Sequence, residues 1–167
     1  MRAVRPLAAF LLAFPAAAGP LAPGAPHLQV RMEALFGQPT TQLGVRGGAA
    51  FGAGWRLTDQ LWVVGDAGAR PAPGGAIGSL AFGIQATFDA TPIAPYLEVA
   101  VVDLTNRDAL GYSLATRLGL GADWMFTRGA GIGVVVRTYT AFDPEKNNPS
   151  LAGVEAAVRL VFAPGAL

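Results

Sequence analysis

The sequence contains no cysteine, one lysine (Lys146) and one histidine (His27), and only 14% of its 167 residues are charged. Without cysteine there is no disulfide framework, no thiolate metal site, no thiol nucleophile and no acylated cysteine behind a leader. The single histidine precedes the first strand-like stretch, which excludes a histidine metal cluster. It also leaves a Ser-His-Asp triad only His27 to work with, and no G-x-S-x-G elbow occurs. The glycine-rich residues 44–54 lack a P-loop lysine and a following helix, so they read as strand rather than nucleotide loop. Asp143, Glu145 and Asn147 lack the ligand spacing of an EF-hand. Paired carboxylates for glycoside chemistry cannot be singled out. Long hydrophobic runs are missing as well. Although 52% of the residues are hydrophobic, no run of about 18 occurs beyond the extreme N-terminus. That argues against a helical membrane protein. The composition points to no catalytic residue, cofactor or metal.

The N-terminus is read as a leader. Arg2 and Arg5 form a basic start, residues 6–14 are apolar, and Pro15 is followed by Ala16-Ala17-Ala18. This is the pattern of a secretory signal peptide, residues 1–18, with cleavage expected after Ala18. The alternative is a retained anchor, but residues 6–14 are too few to span a bilayer and Pro15 breaks a helix. Removing Arg2 and Arg5 leaves ten basic against eleven acidic side chains, formally −1. A near-neutral chain gives no basis for nucleic-acid binding. Residues 19–26, rich in Pro, Gly and Ala, are expected to be a flexible lead-in.

What the chain does have is alternation. Through residues 43–57, Leu43, Val45, Ala49, Phe51, Ala53, Trp55 and Leu57 share one parity. Arg46 and several glycines take the other. After Asp59-Gln60 the pattern resumes with Leu61, Val63, Ala67 and Ala69 against Asp66 and Arg70. Period two places each set on one face of a strand. These arms are nearly twice the usual five or six residues, the length that a membrane-spanning barrel strand requires. Six further stretches repeat the pattern, at residues 27–36, 77–88, 93–104, 110–126, 132–142 and 151–162. The fold expected is all-β: an eight-stranded antiparallel up-and-down transmembrane β-barrel over residues 27–162, with a tail at 163–167. Connections are expected to alternate between tight turns after even strands and longer loops after odd ones, including residues 70–76 and 105–108. Both barrel ends would then lie on the periplasmic side of an outer membrane.

The inward parity collects Arg31, Arg46, Arg56, Arg70, Arg117, Arg137 and Arg159 with Glu33, Asp66, Glu98, Asp123 and Glu155. Gln29, Gln85, Tyr96 and Tyr139 join them. Isolated charges in a narrow interior are very costly, so these groups are expected to pair. An eight-stranded barrel is just wide enough for side chains to fill it. A structural plug and a small anion-leaning pore, drawn from the surplus of two arginines, both remain open here. Outward aromatics gather at two levels: Trp55, Phe88, Trp124, Phe126 and Phe162 by the tight turns, Phe36, Tyr112 and Phe142 by the longer loops. Two such belts match the interfaces of a bilayer. A soluble lipocalin-like barrel would instead turn its aromatics into a core and expose the arginine-rich face. Trp62 falls on the inward parity, beside a turn, with no assigned role.

The chain resembles the small eight-stranded outer-membrane β-barrels of the OmpA/OmpX/OmpW-like superfamily, over essentially all of residues 27–162. Arg56-Leu57-Thr58-Asp59-Gln60-Leu61 is similar to their turn between strands two and three. Glu155, Ala157, Leu160 and Phe162 are similar to the C-terminal signal read by the barrel-assembly machinery. Here Ala157 stands where glycine is usual, and residues 163–167 follow the aromatic that normally ends the chain. The resemblance implies outer-membrane lipid and the assembly machinery as partners, and a non-enzymatic envelope role, structural or exerted on a protein partner through the loops. A narrow conduit for small solutes or apolar molecules is its alternative. The lipid-modifying enzymes of that superfamily use a histidine with serine and an acidic residue, a set that this sequence lacks.

Overall fold

The computed structural model describes residues 27–38, 46–72, 75–88, 92–106, 111–127, 129–142 and 153–164. Eight strands follow in order: β1 (Leu28–Gln38), β2 (Arg46–Arg56), β3 (Leu61–Ala72), β4 (Gly75–Thr87), β5 (Ile93–Asn106), β6 (Gly111–Met125), β7 (Ala130–Phe142) and β8 (Gly153–Phe162). Each pairs antiparallel with its sequence neighbours, and β8 returns to β1 in the register Val30↔Phe162 to Gln38↔Val154, which closes the barrel. Closure leaves no strand edge with unpaired N–H and C=O groups. Among the described residues no helix is long and apolar enough to cross a membrane.

Alternation sets the two faces. Met32, Phe51, Phe82, Leu120 and Val134 are exposed outward, while Arg31, Tyr96, Glu98, Glu155 and Arg159 are fully buried within. Apolar outside and charged inside is the inverse of a soluble barrel. The turn-side aromatics Trp55, Phe88, Trp124, Phe126 and Phe162 are all exposed outward, as is Phe36 at the opposite rim. The side chains of Tyr112 and Phe142 lie outside those described.

The connections differ from the expected alternation at two places: β5–β6, whose residues 107–110 are no longer a stretch than the turns after β2 and β6, and β3–β4. Residues 70–76, expected as a loop, are mostly strand: Arg70 pairs with Ile77, Pro71 with Ala76 and Ala72 with Gly75, so only residues 73–74 connect β3 to β4. Pro71 sits near the strand end, where its missing donor does little harm. Gly75 has φ 147°, a backbone conformation that side-chain-bearing residues rarely adopt. Elsewhere β5 runs on through Thr105 and Asn106, and β7 starts at Ala130, two residues before its expected start. Leu43, Val45, the loop at 143–150, residues 1–26 and residues 165–167 lie outside the described residues.

At Gly83 the sheet itself comes close. A Cβ there would lie 2.6 Å from both Cα and Cβ of Ala100 on β5, whereas a Cβ at Gly47 would have nothing nearer than Leu35 O at 3.8 Å. Gly83→Ala is therefore expected to cost about 1–3 kcal/mol by overpacking. Gly47→Ala should fall within about 0.5 kcal/mol of the unaltered chain. Urea unfolding in phospholipid vesicles compares the two.

Candidate functional site

The interior is one connected network of ion pairs and hydrogen bonds, with Glu98 at its centre. From β5, Glu98 meets Arg117 Nη2 at 2.5 Å, Arg31 Nη1 at 3.5 Å and Arg137 Nε at 3.6 Å. Its two oxygens have no aligned hydrogen bond, so charge rather than bond direction holds them. Arg117 on β6 grips Asp66 on β3 through two hydrogen bonds, Nη1 to Oδ1 at 3.0 Å and Nη2 to Oδ2 at 2.5 Å. Arg137 on β7 does the same to Glu33 on β1, at 2.5 and 2.9 Å. Such fork-to-carboxylate pairs are among the strongest polar contacts available.

Two branches extend from this middle layer. Toward the loop side, Glu155 on β8 accepts from Arg137 Nη1 at 3.3 Å and Tyr139 OH at 3.0 Å, and pairs with Arg70. Toward the turn side, Arg31 Nη1 donates to Gln85 Oε1 at 3.0 Å, which Arg159 Nη1 also reaches at 3.4 Å. Arg159 then clasps Asp123 through Nε and Nη2 and lies over the Tyr96 ring, 3.8 Å from its centroid. Five arginines and five carboxylates are thus buried together: Arg31, Arg70, Arg117, Arg137 and Arg159 with Glu33, Asp66, Glu98, Asp123 and Glu155. Their formal charges cancel.

Two arginines of the expected interior set stand apart. Arg46 is half-buried at the loop-side end of β2, opposite Gly37. Arg56 caps the β2–β3 turn: Nε donates to Thr58 O at 3.1 Å, Nη2 to Asp59 O at 2.8 Å, and its guanidinium carbon lies 5.5 Å from the Trp62 ring centroid. These two arginines therefore sit at the rims, Arg56 paired with Asp59 at 3.3 Å, and the buried set is balanced without them. Trp62 itself points inward and is buried below the turn-side mouth.

The inward face is also less polar than the alternation in charged residues suggests. On the loop side Ile77, Val102, Leu104, Ala115 and Tyr139 form a buried apolar cluster beside the charges. The signal for it lies in runs such as Ala100-Val101-Val102, where apolar residues occupy both parities. His27 is exposed at the turn side, stacked on Trp55 with ring centroids 6.2 Å apart. Among the described residues no group of three or more His, Asp or Glu is placed to hold a metal. In β8, Glu155 and Ala157 face in while Leu160 and Phe162 face out.

Removing the hub should be the most damaging single change in the interior. Glu98→Gln keeps the shape but leaves three buried guanidinium groups short of one negative charge. A loss of about 3–5 kcal/mol is expected. Asp59→Asn, at a partly exposed turn pair, should cost less than about 1 kcal/mol. Urea midpoints in vesicles compare the two.

No protein-family model matches the chain, and no curated protein matches it. Solved structures do. The N-terminal β-barrel domain of Pseudomonas aeruginosa OprF superposes with a TM-score of 0.56 at 17% identity, covering 80% of this chain and 96% of that one. Neisserial surface protein A gives 0.55 at 13% identity, covering 81% and 95%. A de novo designed transmembrane β-barrel gives 0.53 at 14% identity, covering 86% and 98%. A designed barrel fits about as well as two natural ones, so the likeness speaks of architecture and leaves activity open. In fold, this protein is a small eight-stranded transmembrane β-barrel of the outer-membrane type.

Proposed function

We propose that the protein is a non-conducting, non-enzymatic barrel of the outer membrane that serves the envelope as a structural element or as a mount for its loops. The observation that carries this reading is the filled lumen. Ten mutually neutralised charges fill the middle, and on the loop side an apolar cluster from β4–β7 packs beside them. An open channel needs a polar path wide enough for water, and a paired network of this density gives up too much energy to move aside readily. The lone, exposed His27 supports assigning no hydrolytic chemistry.

The same reading assigns residues 1–18 as a leader lost on secretion and places the turn side, with both barrel ends, in the periplasm. Lipid then covers the apolar belt. Glu155, Ala157, Leu160 and Phe162 present the last strand to the barrel-assembly machinery, and an envelope protein is the partner for the loops.

Planar-bilayer recording tests the central statement. The purified chain should give no resolved conductance steps, and regular single-channel steps would overturn the plug. Fractionation tests the location. The unboiled protein should run as a compact, fast band from the outer membrane, with its N-terminus at Gly19, and a soluble periplasmic product without a band shift would refute the assignment.

A further inference from the structure

The lumen offers little to a ligand. Its turn-side cavity of ≈ 250 Å³ is lined by Trp62, Gln85, Asp123 and Val161 among others, and Arg31 and Arg159 already hold the Gln85 carbonyl and the Asp123 carboxylate. Polar groups without such partners lie on the other face of the sheet. Among the described residues, Gln38 at the loop-side end of β1 is the only charged, hydroxyl or amide side chain on the outer parity of β1–β4 and β8. The outer parity of β5–β7 carries Asp103 and Thr105 on β5, Thr116 on β6, and Thr138 and Thr140 on β7. All of these lie in the loop-side half of their strands.

Three of the threonines stand within the lipid belt. The register sets Ile132 opposite Trp124 of the turn-side aromatics, and Thr140 opposite Thr116. A tilted strand climbs about 2.5 Å per residue, so Thr138 is about 15 Å, and Thr116 and Thr140 about 20 Å, above that level in an apolar band about 25 Å tall. Thr138 and Thr140 are exposed and Thr116 is half-buried. Among the described residues none of the three hydroxyls makes a hydrogen bond. A lipid tail can neither donate nor accept one, and the strand carbonyls nearby are spent in the ladder. A hydroxyl does both, so a patch of hydroxyls is its own complement. Within a bilayer such groups join surfaces where apolar burial gives no drive.

Symmetry narrows the occupant further. Two copies inserted in the same direction are related by a two-fold axis along the membrane normal, which brings together only groups of equal depth. Thr116 and Thr140 meet that condition as register partners on adjacent strands. An axis between β6 and β7 sets Thr116 of each copy against Thr140 of the other, the reciprocal pairing of an isologous contact. Leu118 and Val136, both exposed, supply apolar contact beside them. Asp103 lies on β5, off that axis, so two like charges are not forced together.

We propose that the β6–β7 face is a homodimer contact within the membrane, held by reciprocal Thr116–Thr140 hydroxyl bonds with Thr138 beside them. The inference rests on the transmembrane placement of the barrel and not on its plug, so a conducting lumen would leave it intact.

The chain has no cysteine, so introduced ones report alone. Folded Thr116→Cys and Thr140→Cys chains are mixed in phosphatidylcholine vesicles, oxidised with copper phenanthroline and run without reductant. A disulfide-linked dimer is expected from the mixture. Phe51→Cys, exposed on β2 across the barrel, should stay monomeric. Sedimentation in density-matched micelles then reads the affinity without a cross-link. Thr116→Val, Thr138→Val and Thr140→Val in one chain keep the side-chain shape and remove the hydroxyls, which should weaken the dimer about tenfold. The unboiled gel shift, taken before each measurement, separates loss of pairing from loss of the barrel. A cross-link no stronger than that of Phe51→Cys, a monomer at every concentration, or a triple variant that pairs as well as the unaltered chain would overturn the proposal, the monomer leaving these hydroxyls to the lipid.

Discussion

Everything in this molecule depends on where its backbone hydrogen bonds go. Facing lipid, an unpaired N–H or C=O costs several kcal/mol, so a sheet can cross a bilayer only if its first strand meets its last. The β1–β8 ladder supplies that closure. Once the sheet is closed, strand alternation has only two destinations, lipid and lumen. Each odd–even choice along the chain becomes a choice between an apolar exterior and a narrow interior. The outward Leu, Val and Phe and the inward Arg and Glu are two consequences of one constraint.

The second consequence is electrostatic. An eight-stranded lumen has little room for water to screen a charge. Charged side chains can be placed there only as a set whose sum is near zero and whose members touch. The five arginines and five carboxylates satisfy both conditions through Glu98, which joins β5 to partners on β1, β6 and β7. Arginine suits this role better than lysine, because its planar fork can engage two carboxylates at once. That Lys146 is the only lysine, and lies in the polar stretch 143–150, fits the same economy of geometry. Such a network cross-links strands far apart in the sequence, Arg137 on β7 to Glu33 on β1 for example.

Much of this was legible from the residues because period two is a strong signal in long strands. The parity of Arg31, Asp66, Glu98, Arg137 and Arg159 could be read directly, and with it the inverted burial. Strand ends were harder to read. Pro71, Gly74 and Gly75 look like loop chemistry, yet the hairpin is so tight that Pro71 and Gly75 remain in the ladder, and the choice between the two lies in long-range pairing. Parity also could not separate lumen from rim. Arg46 and Arg56 carry the same parity as the interior arginines, but their height along the barrel depends on shear, which is set by all eight registers together. The cavity beneath Trp62 was invisible for the same reason: a void is a property of side chains from several strands and belongs to no local pattern.

The two ends of the barrel are built differently, and that asymmetry limits what the lumen can do. On the loop side Ile77, Val102 and Leu104 pack beside the Arg70–Glu155 pair, with Ile77 directly across from Arg70. On the turn side the lining includes Gln29, Gln85 and Asp123, and the network is approached through polar groups. A solute entering from the turns meets amides first and a neutralised ion pair next, with no unmatched charge to draw it further. The middle of the lumen is held by the Glu98 contacts, which are shared among three arginines on three strands. The geometry favours a lumen that stores structure in its middle and keeps any recognition for its ends.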